Sequence, residues 1–133
     1  MLVDQRDFSS ATAICDAAKS AAPRPVVVLD LQHLRKYTLG ITDLEQEILG
    51  LFLGELPKSH AALVSARSAS DWHMAAHTLK GSALAVGAKQ LALAGAEAEA
   101  TDCANDAART AVMAKVADAM AEVASEISRL GLL

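Results

Sequence analysis

Three stretches of this chain place apolar residues at alternating steps of three and four, the spacing that lines one face of an α-helix. The first carries Leu44, Ile48, Leu51, Phe52 and Leu56. The second carries Trp72, Ala76, Leu79, Ala83 and Val86, and the third Val112, Val116, Met120, Val123, Ile127 and Leu130. Much of the rest is alanine, 29 of 133 residues, the side chain that loses least on entering a helix. No stretch alternates apolar and polar residues at period two, and aromatics are only 3%, so a β-sandwich or barrel is excluded. A chain of this length can bury one core without disulfide or metal staples.

Helix punctuation divides the chain further. FSSATAICDAAKSAA, residues 8–22, reads as a short helix with Ser9 or Ser10 as its cap, and Pro23-Arg24-Pro25 stops it. Residues 1–28 are therefore an N-terminal extension with a Pro-rich linker, and residues 29–131 a bundle domain. Asp30 caps a short helix with Leu31, Leu34 and Tyr37 that breaks near Gly40. Thr42-Asp43-Leu44-Glu45 has the pattern of a capping box. Pro57 predicts a kink or restart, after which apolar spacing resumes through Leu63 and Ala66. Ser70 is the expected cap of the Trp72 helix and Gly87 its stop. A further segment spans residues 88 to about 101 around Leu91, Ala94 and Ala98, and Asn105-Asp106 opens the last helix. Amphipathic helices with short connections predict an all-α fold, an antiparallel four-helix bundle with one or two extra short N-terminal helices.

Charge and composition narrow the partners. A net charge of −4 with scattered Lys and Arg argues against nucleic acid, which demands a basic stripe. No apolar run approaches the roughly 18 residues of a membrane span, and the N-terminus lacks the basic and apolar regions of a signal peptide. Cys15 and Cys103 have neither metal spacing nor a disulfide framework and read as small core residues. A cytoplasmic monomer is expected.

The informative segment is residues 73–84. On a helix whose buried stripe is 72, 76, 79, 83 and 86, His77, Lys80, Gly81 and Leu84 share a more exposed face, with His73 one turn earlier. Gly81 costs roughly 1 kcal/mol relative to alanine inside a helix. Close helix packing is one explanation, but position 81 lies off the buried stripe. The alternative is that a β-carbon there would obstruct something approaching His77. Lys80, about 5–6 Å away between β-carbons, can offset negative charge arriving at the ring. A neutral imidazole is a nucleophile at one nitrogen and a donor at the other. These residue types suit phosphoryl transfer to and from a histidine nitrogen. Beyond Gly87 the chain returns antiparallel, which brings either Glu97 or Glu99 to the level of His77 as acceptor for its Nδ1 proton.

Ala76-His77-Thr78-Leu79-Lys80-Gly81-Ser82-Ala83, followed by Gly87, Leu91 and Glu99, resembles the signature of histidine-containing phosphotransfer domains. Leu53 to Pro57 and Asp71-Trp72 fit the same pattern upstream, and the likeness covers roughly residues 29 to 129. The resemblance implies an intermediate in a multistep phosphorelay. Its phosphoacceptor would be His77, with Lys80 compensating charge. Glu99, 22 positions after the histidine, would contact the imidazole. Receiver access and docking would fall to His73, Gly81, Ser82 and Leu84. The implied partners are the receiver domain of a hybrid histidine kinase and that of a response regulator. The chain would need no cofactor of its own, Mg²⁺ belonging to the receiver. The chain has no P-loop or glycine-rich nucleotide motif, so a carrier rather than a complete enzyme is expected.

Two rival readings remain at this level. One is a helical interaction module in which His77 is merely exposed. The other is a metal-binding bundle enzyme using His33, His60, His73 and His77, for which the Glu-x-x-His motif of bundle metal sites is missing.

Overall fold

The computed structural model describes residues 28–132, and all of its regular structure is helical. Helix α1 spans Leu31–Thr38, α2 Thr42–Ser65, α3 Ala69–Val86, α4 Lys89–Ala100 and α5 Asp106–Arg129. The helix expected over residues 8–22, its Pro-rich stop and Cys15 lie outside the described residues. Helices α2 to α5 form a closed ring in which each packs on the next and α5 returns to α2. Facing residues run in opposite directions: Trp72 meets Ala98 while Lys80 meets Gly95 across α3 and α4. The fold is thus an antiparallel four-helix bundle, with α1 laid against α2 and α3.

The local signals account for most boundaries. Asp30 caps α1 by accepting from the His33 backbone N–H at 3.2 Å. Asn105 caps α5 by accepting from Ala108 N–H at 3.1 Å. Gly87 closes α3 at φ 82, and a β-carbon there would stand 2.7 Å from the Asp30 carbonyl oxygen, so both conformation and space require glycine. The buried residues of α3 are Trp72, Ala76, Leu79, Ala83 and Val86, the face that the three-four spacing predicts.

Several expectations are corrected. Thr42 and Glu45 make no capping box: Thr42 is the first helical residue, and Ile41 at the cap position has no side-chain bond. Glu45 is instead 2% exposed, and its Oε2 accepts from Arg35 Nε and Thr38 Oγ1, both at 3.0 Å. A carboxylate taken from water needs such partners, and α1 supplies them. On α2 the inward line is accordingly Glu45, Leu49, Phe52, Leu56 and Leu63, leaving Leu51 67% exposed and Leu44 and Ile48 on the flank. Pro57 causes no restart, since α2 continues as one helix through it. The cap of α3 is Ser68 rather than Ser70, its hydroxyl accepting from Asp71 N–H at 3.0 Å. On α5, Ala119 joins the buried line while Met120 and Leu130 are only partly covered, as is Cys103 in the α4–α5 connection.

Two contacts fix the register around the future site. Trp72 buries its ring and donates from Nε1 to the Ala98 carbonyl at 2.7 Å. The Arg109 guanidinium lies 4.7 Å from the Trp72 ring centroid and reaches the carbonyls of Leu63, Val64 and Ala66 at 2.9–3.2 Å. It thereby satisfies the open, negative end of α2. The second contact is Gly95, where a β-carbon would lie 3.1 Å from Lys80 N and 3.2 Å from Lys80 Cα. Because the obstacle is backbone, Gly95→Ala is expected to destabilise the protein by about 1–3 kcal/mol despite alanine's better helix propensity. Urea unfolding of the two proteins checks this, and a gain in stability would contradict the close approach.

Candidate functional site

The helical repeat carries the Gly95 contact directly to the site. One turn beyond Gly95, Glu99 occupies the same face of α4. On antiparallel α3, one turn back from Lys80 is His77. The carboxylate therefore arrives beside the imidazole and the ammonium together. Lys80 Nζ sits 2.7 Å from Glu99 Oε1, and His77 Nδ1 is 3.0 Å from Glu99 Oε2. Glu97 is turned toward α5 instead, where Lys115 Nζ lies 2.7 Å from its Oε2.

This geometry selects a tautomer. An ionised carboxylate only accepts, so the His77 proton facing it resides on Nδ1 and the Nε2 lone pair is left free. The His77 side chain is 65% exposed while Glu99 is 17% exposed. The carboxylate is thus sheltered and the imidazole presented. Lys80 is half-buried, its ammonium within the same cluster. At Gly81 a β-carbon would meet nothing within 4 Å among the described residues, so no packing among them demands the glycine.

His73, Met74, His77 and Glu99 line a shallow groove of about 490 Å³ with Ala69 and Ser70. Ser82 is not part of it: that side chain borders a separate hollow with Ile48, Leu51 and Phe52 of α2. Leu84 is exposed farther along α3. The structure therefore gathers His73, His77, Lys80 and Glu99 into one cluster, with Gly81 open beside it and Ser82 facing a different hollow. His33 packs edge-on to Tyr37 at 5.5 Å, and His60 borders an apolar groove between α2 and α5. Among the described residues no group of three His, Cys, Asp or Glu side chains is arranged to hold a metal ion. Gly95, Trp72 and Arg109 fix the helix register around the cluster; of these only Trp72 stood out in the sequence, as a buried residue and in the family pattern. A glycine amid alanines was the available signal for Gly95; nothing local marks Arg109.

Such a molecule, a small helical bundle presenting one carboxylate-oriented histidine at its surface, has the form of a histidine phosphocarrier. A family profile described as Hpt domain matches residues 47–131, well over half of the chain, and the chain belongs to that family of histidine-containing phosphotransfer domains. Its role is accordingly phosphotransfer in phosphorelays, in which such domains interact with receiver domains. Comparisons with curated proteins and with solved structures give no significant match. No described helix is long and apolar enough to cross a membrane.

The cluster makes a prediction about protonation. The Lys80 hydrogen bond, reinforced by His77, holds the Glu99 carboxyl below its ordinary value of 4.5 against an opposing contribution from desolvation. A depressed pKa in the folded state stabilises fully above the ordinary value and is lost as pH falls through the depressed one. The ¹³C titration midpoint of the Glu99 carboxyl is therefore expected below 4.5 and should rise toward that value in Lys80→Ala. An unchanged midpoint in that variant would remove the ammonium as the cause.

Proposed function

We propose that His77 Nε2 takes the phosphoryl group from a receiver-domain aspartate of a hybrid histidine kinase and delivers it to the receiver aspartate of a response regulator. The observation that supports this most is the Nδ1 contact to Glu99 at 3.0 Å on a ring that is otherwise exposed. In the accepting step the Nε2 lone pair attacks phosphorus. The aspartyl phosphate P–O bond breaks, and the aspartate leaves as carboxylate. Positive charge developing on the ring is balanced through Nδ1–H by Glu99, and Lys80 offsets the phosphoryl oxygens. Delivery is the reverse displacement on the second aspartate. The ring stays bonded to Glu99 throughout.

Nothing in this scheme asks the chain for a cofactor. The receiver's acidic pocket would supply Mg²⁺ and the cationic clamp on the phosphoryl oxygens. Gly81 leaves the approach path clear, and Leu84 and Met74, both exposed, offer apolar contact for a transient interface. The protein would work in the cytoplasm and as a monomer, the latter because the buried lines of its helices close on one another.

His77→Gln is expected to reduce phosphoryl uptake from a phosphorylated receiver to background, measured as acid-labile label on the protein. Full uptake by that variant would refute the assignment. Gly81→Arg is expected to leave the unfolding midpoint in place, since the site of the new side chain is open. It should also weaken receiver association by about tenfold or more. Unaltered association, read by titration calorimetry, would place docking elsewhere.

A further inference from the structure

His73 is one helical turn before His77, and from spacing alone it belongs to the docking face. Its contacts are more specific. His73 Nε2 is 3.3 Å from Glu99 Oε2, the same oxygen that receives His77 Nδ1 at 3.0 Å. The two imidazole planes differ by only 11°, with centroids 6.2 Å apart. Two near-parallel rings on consecutive turns of α3 thus present nitrogen edges to one carboxylate oxygen on α4.

We propose that His73 is a positioning residue for His77, acting through Glu99; this deepens the phosphoacceptor reading and rests on it. The argument begins with the carboxylate. The terminal torsion of glutamate is broad, without sharp staggered wells, and one contact does not fix the plane of its oxygens. Lys80 holds Oε1 at 2.7 Å, which alone leaves a pivot about that oxygen. His77 Nδ1 on Oε2 opposes that pivot but turns with the ring it is meant to orient, whereas a donor from His73 would hold Oε2 independently of the His77 ring. A carboxylate oxygen has two lone-pair sites, so Oε2, which already meets His77 Nδ1 at 3.0 Å, has room for a second donor from His73 Nε2, 3.3 Å away. Held at both ends, the carboxylate keeps Oε2 in line with His77 Nδ1, and that bond places the neutral ring's single proton on Nδ1 rather than on the attacking nitrogen, Nε2. His73 does not touch the reacting atoms; it acts on the tautomer of the ring that does.

The role is one of donation, so a neutral donor of similar reach should replace it. The side-chain amide of glutamine supplies an N–H, and the exposed position of His73 makes truncation compatible with folding. Two-bond ¹⁵N–¹H correlation spectra of the imidazoles in the full chain read the tautomer directly. His77 is expected to be mainly Nδ1–H in the parent protein, to lose that preference in His73→Ala and to regain it in His73→Gln. Phosphoryl uptake at saturating receiver should fall about three- to tenfold in His73→Ala and recover in His73→Gln, with receiver affinity unchanged. In a Glu99→Ala background, His73→Ala should have no further effect on the tautomer.

An unaltered His77 tautomer in His73→Ala, or a loss confined to receiver affinity, would overturn the proposal and return His73 to docking. The spectra need no phosphoryl group. A tautomer shift together with full uptake by His77→Gln would therefore sink the phosphoacceptor reading while leaving the positioning geometry intact.

Discussion

Where α4 passes α3 at Gly95, a β-carbon would lie 3.1 Å from the Lys80 amide nitrogen, so the two backbones meet about as closely as glycine permits. Small residues around that point, Ala76, Ala83, Ala94 and Ala98, are buried with it. Glu99 has a reach of only a few bonds, and it contacts both His77 and Lys80 because the helices are this near. Wider separation would put the imidazole and carboxylate out of hydrogen-bond range. The alanine-rich composition that drives the helical fold therefore also sets the distance at which its chemistry operates.

Within that distance, one carboxylate gathers an ammonium and two imidazoles. Lys80 favours the charged form of Glu99, and the charged form is the one that holds a proton on His77 Nδ1. The arrangement leaves an exposed, uncharged nitrogen beside a cation, an environment suited to meeting an anionic group. The two requirements are separated in space: apolar residues hold the helices together on one side of α3, while the other side is free to react.

Signals carried by neighbouring residues were legible in the sequence, and signals that depend on a distant partner were not. The inward face of α3, the glycine stop at Gly87 and the caps at Asp30 and Asn105 follow from local spacing and backbone chemistry. Glu45 looked like a capping residue because Thr42 stands three positions before it. Its actual partners, Arg35 and Thr38, belong to another helix, and burial between helices outweighs a local cap. The same tertiary contact turns Leu49 inward and Leu51 outward. Spacing brought two glutamates to the level of His77 and the family resemblance singled out Glu99; the helix approach at Gly95 is the physical reason that Glu99 faces the ring. Arg109 closes the end of α2 from 43 to 46 positions away, beyond any sequence window.

The contact between Trp72 and the Ala98 carbonyl has a practical consequence. The chain contains one tryptophan, and its indole hydrogen bond is made to the residue immediately preceding Glu99. Its other neighbour is a guanidinium that ties α5 to the end of α2. Its fluorescence therefore arises from a single chromophore wedged between the carboxylate's own backbone and the far side of the bundle. Emission from this residue offers a label-free optical gauge of strain transmitted into the histidine's surroundings when another protein settles on the surface.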